Sequence, residues 1–176
     1  MPFSHDAYDG MSWAAFRGLV VKGQGSASTH IADKVPGSLS DLLGVDLYPG
    51  TLNLLLDAPA RLVSDASVSV QGRRRYLSPV LLNGVRGWLH RWPYTGTFIA
   101  EVVSDCRLRS ACGLEDGAIA EFRIPSALIV ENSNLALLMW RLLWGLSEDR
   151  YARRSSRLRG PFAHRVQKYT GLLQWP

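Results

Sequence analysis

Cysteine is scarce in this chain of 176 residues, which contains only Cys106 and Cys112. Two cysteines are too few for a disulfide framework or for a zinc site built from thiolates. The sequence also lacks any apolar run of 18 residues, the length that indicates a membrane-spanning helix. Its first ten residues carry two aspartates and no basic cluster, which argues against a secretory signal. Together these absences predict a reduced, cytoplasmic protein.

Most of the chain lacks a net positive charge, although the net charge of the whole chain is +5. Residues 1–132 hold 12 Lys and Arg against 13 Asp and Glu, whereas residues 133–176 hold 8 against 2. The basic excess therefore describes a tail, and it is weak evidence for nucleic-acid binding by the body of the protein. We expect no nucleic-acid partner, and we divide the chain into a domain over 1–132 and an extension over 133–176.

The body has the composition of an ordinary globular domain, with 47% apolar and 20% charged residues over the whole chain. Short apolar segments separated by Gly, Asp and Pro predict many short strands. Two segments, 37–44 and 105–113, fit short helices that end at glycine. The segment 17–33 fits a strand, a glycine-broken loop and a second strand. The pattern predicts a small, mainly β barrel with short helices.

The extension begins with a different pattern, NLALLMWRLLWGLS over residues 134–147. Its long-chain apolar residues predict a helix, which is too short to span a bilayer. We expect this helix to pack on the barrel or to form a homodimer interface. The basic tail over 148–176 carries arginines at 150, 153, 154, 157 and 159. Four roles stay open for them: a solvated face, binding of an anionic partner, contact with a bound nucleotide, and peripheral membrane contact.

A glycine-rich loop follows the first predicted strand. Glycines allow close approach of the backbone to a phosphate, and clustered N–H groups with neighbouring hydroxyls can hold an anion. The loop is neither a Walker A motif nor a dinucleotide fingerprint, and a plain hairpin turn is the alternative. Its candidate nucleotide-binding residues are Gly23, Gln24, Gly25, Ser26, Ala27, Ser28 and Thr29.

A turn at Tyr48-Pro49-Gly50 leads directly into Thr51, Leu52 and Asn53. Residues two apart in a strand project to the same face, so the oxygens of Thr51 and Asn53 point together while the leucines point to the core. Two neutral oxygens are too few to hold Mg²⁺ alone, but they form half a site that nucleotide phosphates complete. The alternative is that both side chains only satisfy the hydrogen bonds of the turn.

Two further groups of polar residues complete the candidates. Arg107 and Arg109 on the predicted helix 105–113 can clamp phosphate oxygens, or they can form a solvated helix face. Glu101 can orient an acceptor hydroxyl or accept its proton, although a strand also places acids toward solvent. His90 and His164 stand alone in the sequence, and we assign them ordinary structural roles.

Three segments together resemble a known family: GLVVKGQGSA, LLGVDLYPGTLNLLLD and AEVVSDCRLRSACGLEDGAIAEFRI. Their order and spacing are similar to those of the archaeal-type CTP-dependent riboflavin kinases, over roughly residues 16–125. Pro-Gly-Thr-Leu-Asn is the most specific block. The resemblance implies a six-stranded cradle-loop barrel, followed here by a C-terminal helical extension. It also implies transfer of the γ-phosphate of CTP to riboflavin, giving FMN and CDP.

The resemblance also implies roles for individual residues. Thr51 and Asn53 are expected to bind Mg²⁺, and Glu101 is expected to contact the flavin. Glu101 and Arg109 are the expected catalytic residues. The expected nucleotide contacts are the loop residues named above together with Arg107, Leu108, Arg109 and Ser110.

The sequence departs from the family pattern in three places. Ala27 and Ser28 replace a glycine and a basic residue of the loop. The segment RWPYTGT replaces a Thr-Tyr-His-like run for the flavin, so Thr95 or Thr97 is the candidate acceptor contact. The extension has no counterpart in the minimal domain. Two alternatives therefore stay open: a CTP-dependent kinase of another hydroxyl compound, such as a sugar or nucleoside-like metabolite, and a non-catalytic nucleotide- or flavin-binding module.

Overall fold

A computed structural model of the protein describes residues 10–23, 31, 37–63, 67–70, 73–91, 97–135 and 137–138. Within these residues the chain forms strands and short helices. The first strand of the segment 17–33 is present, but Ile31, the one described residue where a second strand was predicted, is helical. The strands are β1 (Trp13–Val21), β2 (Leu52–Leu56), β3 (Arg61–Leu62), β4 (Ser67–Val70), β5 (Arg73–Leu82), β6 (Val85–Arg91), β7 (Ile99–Val103), β8 (Ile119–Pro125) and β9 (Ile129–Val130). The helices are α1 (Leu39–Leu43) and α2 (Leu108–Ala111), and a 3-10 turn covers Ser126–Leu128.

Six strands close into an antiparallel barrel in the order β5, β6, β7, β2, β1, β8. The ring closes because β8 pairs back with β5, with Leu82 opposite Phe122. Strand β4 extends the sheet beyond β5, and β3 pairs with β9 in a separate two-stranded sheet. The mainly β, six-stranded barrel with short helices is therefore confirmed.

The barrel interior is filled by every second side chain of its strands, as strand geometry requires. Leu54, Val20 and Phe122 are fully buried there, and Leu52 and Leu56 are 3% exposed. Burying one such side chain contributes about 1.5–3 kcal/mol. The leucine run of β2 thus forms one wall of the core.

The opposite face of β5, β6, β7 and β2, called here the outer wall, is also partly covered. Leu39 and Leu43 of α1 belong to a second apolar cluster with Trp88 and Val103, which project outward from β6 and β7. Helix α1 begins where the Ser38 hydroxyl accepts a hydrogen bond from the Asp41 N–H at 3.2 Å. The helix predicted over 37–44 is confirmed, and it shields this part of the wall from solvent.

Several other predictions lie at or beyond the edge of the described residues. Residues 134, 135, 137 and 138 are helical, which agrees with the start of the helix predicted over 134–147. The rest of that helix, the proposed dimer contact and the basic tail lie outside the described residues, as do Gln24–Thr29 and Thr95. In the part of the chain that is described, no helix has the length and apolar character needed to cross a bilayer.

Candidate functional site

Three buried polar side chains lie side by side on the outer wall. The strand register places Asn53 of β2 opposite Glu101 of β7, and Glu101 opposite His90 of β6. Asn53 is 2% exposed, Glu101 7% and His90 8%. Directly opposite residues share a face and have β-carbons about 5 Å apart. These residues, called here the polar row, form a continuous polar strip among apolar neighbours.

Thr51 joins one end of the polar row. Its hydroxyl donates a hydrogen bond to Asn53 Oδ1 across 3.4 Å, so the two oxygens point to the same place, as the alternation predicted. Neighbouring ligand oxygens of an octahedral Mg²⁺ lie about 3 Å apart, so this pair fits two of the six positions. Among the described residues no group of three or more His, Cys, Asp and Glu side chains could hold a metal ion.

Gly23 approaches the Asn53 side chain from the end of β1. A β-carbon on residue 23 would lie 2.5 Å from Asn53 Nδ2, which is closer than real side chains allow. A larger residue at this position would therefore have to displace the Asn53 amide, which glycine leaves where it lies. In this orientation Nδ2 is on the side of Gly23 and Oδ1 accepts from the Thr51 hydroxyl.

Arg109 reaches the same end of the row from α2. Its guanidinium donates to the Val21 carbonyl at 3.4 Å and to Asp116 Oδ1 at 2.6 Å. Val21 is the direct neighbour of Asn53 in the β1–β2 register, so a positive charge lies beside the Thr51–Asn53 pair. The ion pair is partly exposed, at 29% for Arg109 and 54% for Asp116, so it contributes at most about 1 kcal/mol to stability.

The remaining residues of the arginine segment have different surroundings. Leu108 is 5% exposed and packs into the barrel core with Leu114, which fixes α2 to the barrel. Only the backbone of Leu108 can therefore meet a ligand. Arg107, at the start of this short helix, and Ser110 within it are both exposed. Of the two arginines, Arg107 therefore has the exposure of a solvated face, whereas Arg109 is held against the barrel.

Glu101 is the central member of the polar row. The alternative that it faces solvent is wrong, because its side chain is buried between the strands that carry Asn53 and His90. Thr97 is also buried, at 2% exposed, but it lies before the start of β7, where its carbonyl accepts from the Ala60 N–H at 2.6 Å. The register therefore does not make Thr97 a direct neighbour of Glu101.

His90 is electrostatically distinctive. Burial lowers the pKa of its imidazole to about 4, and the positive charge of Arg75 on β5 acts in the same direction. The ring is therefore neutral near pH 7, with one N–H donor and one acceptor nitrogen. Arg75 stands two residues from Leu77, the direct partner of His90 on β5.

Sequence reasoning did not connect His90 or Asp116 with the other candidate residues, although the structure places His90 opposite Glu101 and Asp116 against Arg109. No local signal marks His90, because its neighbour Glu101 is set by the pairing of β6 with β7. Asp116 lies in the turn predicted at Asp116-Gly117, but its contact with Arg109 depends on how α2 returns to the barrel. The sequence shows an Arg and an Asp seven positions apart, but it does not show that the turn brings their side chains together.

Comparison with known proteins gives a related indication. A riboflavin kinase from Methanocella arvoryzae (strain DSM 22066 / NBRC 105507 / MRE50) is 33% identical over 112 residues, covering 57% of this chain and 52% of that protein. The chain thus spans about half the length of the curated relative that it matches. No protein-family model matches the chain.

Proposed function

We propose that this protein is a kinase that transfers the γ-phosphate of CTP to a hydroxyl group of riboflavin, giving FMN and CDP. The observation that carries the proposal is the position of Glu101, directly beside Asn53 and its hydrogen-bonded partner Thr51 on the outer wall. A candidate metal–phosphate site and a buried carboxylate thus lie on neighbouring strands. The similarity to a riboflavin kinase supports riboflavin as the acceptor.

The Thr51 hydroxyl and Asn53 Oδ1 would hold Mg²⁺ together with phosphate oxygens of the nucleotide. The ion would supply charge neutralisation for the phosphates. Gly23 leaves the Asn53 amide in place, since any larger residue would displace it. Arg109, beside the Val21 carbonyl, adds positive charge where negative charge develops during transfer.

Glu101 would accept a hydrogen bond from the acceptor hydroxyl and orient it toward the γ-phosphate. Its burial excludes water, so a carboxylate–hydroxyl hydrogen bond is stronger there than at the surface. Phosphoryl transfer with a loose transition state depends mainly on positioning and electrostatic stabilisation. No stronger base is needed than a carboxylate that holds the hydroxyl in line.

CTP as the donor follows from the resemblance of the three sequence segments to the archaeal-type kinases. The nucleotide would lie on the β1 side of Asn53, near Gly23 and Arg109. Kinase chemistry on another hydroxyl compound is the second candidate. It is favoured by one observation: the segment RWPYTGT departs from the family pattern at the expected flavin contacts.

The deciding experiment is a turnover assay with purified protein, Mg²⁺ and riboflavin, with CTP and ATP in parallel. FMN and CDP should appear with CTP and should not appear in an Asn53→Ala variant whose circular dichroism matches the wild type. CTP-dependent CDP release only with another hydroxyl compound would replace riboflavin as the acceptor. Nucleotide binding without turnover would favour the binding-module alternative.

A further inference from the structure

The order of residues across the outer wall gives the site a direction. From β1 to β6 the register runs Val21, Asn53, Glu101 and His90. Arg109 contacts the Val21 carbonyl, so the positive charge and the possible metal pair lie on the β1 side of Glu101. The β6 side of Glu101 presents His90 instead.

Phosphoryl transfer requires the attacking and leaving oxygens to lie roughly in line with the phosphorus atom. If the donor phosphates lie on the β1 side of Glu101, the acceptor lies on the opposite side, with its reacting hydroxyl at Glu101. The body of the acceptor then extends over β6, about one strand spacing of 4.8 Å beyond Glu101. His90 occupies that position.

We propose that His90 contacts the acceptor molecule directly and helps to select it, by hydrogen bonding to a polar group beyond the phosphorylated hydroxyl. This inference rests on the proposed function. A buried imidazole beside a buried carboxylate can fix the orientation of a bound molecule. The carboxylate hydrogen-bonds to the reacting hydroxyl, and the imidazole hydrogen-bonds to a second polar group of the same molecule. The acceptor must therefore carry two polar groups about one strand spacing apart, the reacting hydroxyl at Glu101 and a second group at His90.

The surroundings of His90 support a role in recognition. Trp88 precedes it on the same face of β6, is 1% exposed and packs in the apolar cluster with α1, so this stretch of β6 is held in place. The neutral state of the ring, caused by burial and by Arg75, gives it both a donor and an acceptor. The nearby charge of Arg75 favours neutral or anionic acceptors over cationic ones.

The test compares His90→Phe with His90→Gln in the full chain. Phenylalanine keeps an aromatic ring and removes both hydrogen-bonding nitrogens, whereas glutamine keeps a donor and an acceptor. Arg86→Gln is the matched control, because Arg86 lies on the same face of β6 but is exposed. Riboflavin is the probe. Quenching of its fluorescence measures binding, and FMN formation measures turnover.

We expect His90→Phe to weaken riboflavin binding about 10-fold, in line with the loss of one hydrogen bond in a buried site. The KM for riboflavin should rise by a similar factor while kcat and the KM for CTP stay near wild type, because an interaction made equally in ground and transition states changes KM. His90→Gln should recover most of the loss, and Arg86→Gln should match the wild type.

Equal riboflavin affinity in wild type and His90→Phe overturns the inference, as does a parallel fall of kcat and both affinities with no recovery in His90→Gln. Riboflavin binding without FMN formation by the wild type overturns the proposed function, while the binding comparison still decides the role of His90. Absence of both binding and turnover in the wild type overturns both.

Discussion

The side-chain amide of Asn53 lies 2.5 Å from the point where a β-carbon on residue 23 would be, so any larger residue than Gly23 would have to move this amide. Asn53 is on β2 and Gly23 follows β1, and their strands are joined through the pair Val21–Asn53. In the same orientation Asn53 Oδ1 accepts a hydrogen bond from the Thr51 hydroxyl. Glycine at residue 23 thus leaves room for the amide of a candidate metal ligand.

We expect Gly23→Ala to lower kinase activity strongly, because the added methyl group must move the Asn53 amide. The informative comparison is the effect of Gly23→Ala on the free energy of unfolding in the wild type and in the Asn53→Ala background, both measured by urea unfolding. The destabilisation caused by Gly23→Ala, about 1–3 kcal/mol for an overpacked position, should be smaller in the Asn53→Ala background. Additive free energies of unfolding would contradict a steric coupling between the two positions.

The hydroxyl of Thr51 can be tested without changing the shape of the side chain. Thr51→Val keeps the branched volume but removes the oxygen that lies 3.4 Å from Asn53 Oδ1, whereas Thr51→Ser keeps the oxygen. The Mg²⁺ concentration for half-maximal FMN formation should rise by at least about 10-fold in Thr51→Val, since even outer-shell partners of a metal contribute that much. Thr51→Ser should remain near wild type, and equal Mg²⁺ dependence in both variants would remove Thr51 from the metal site.

Arg109 has a structural partner and a proposed phosphate role, and two substitutions separate them. Asp116→Asn removes the charge of the ion pair but leaves the arginine in place. Arg109→Gln removes the positive charge itself and should lower kcat about 100-fold, as expected for loss of one electrostatic contact to the transferred group. Steady-state kinetics with CTP should show only a small change for Asp116→Asn; equal losses would mean that Arg109 acts only through the ion pair.

The mainly β character and the start of β2 could be predicted from local signals in the sequence. The six-stranded barrel was implied by the family resemblance, since its closure depends on the distant pairing of β5 with β8. Gly44, with its left-handed φ of 67°, ends α1 where the glycine predicted an end. The placement of Thr51 with Asn53 follows from the period of a strand. The neighbours of Glu101 could not be predicted in the same way, because they depend on the register of β6, β7 and β2. A shift by one residue would have placed Glu101 on the other face.

The cover of the outer wall gives a stability prediction. Leu39 of α1 is 1% exposed within the apolar cluster that contains Trp88 and Val103. Leu39→Ala should lower the free energy of unfolding by about 2–5 kcal/mol, the usual cost of truncating a fully buried leucine. Leu19→Ala is the matched control, because Leu19 is 37% exposed on β1 and should change stability far less. Urea denaturation followed by tryptophan fluorescence measures both, and similar costs would contradict the packing of α1 on the wall.

The low pKa of His90 makes stability depend on pH in a defined window. In the unfolded chain the imidazole titrates near 6.5, whereas burial and Arg75 lower its pKa in the folded protein to about 4. Between these values the unfolded state binds more protons, so stability falls as the pH decreases from 6.5 and the loss is complete near 4. The full effect is about 3 kcal/mol, since each pKa unit corresponds to about 1.4 kcal/mol.

The carboxylate of Glu101 and the guanidinium of Arg75 face the same ring and persist in a His90→Gln variant, so their contributions cancel in the comparison. Urea unfolding at a series of pH values should therefore show a steeper decline below pH 6.5 for the wild type than for His90→Gln. Parallel curves would mean that folding does not lower the pKa of His90.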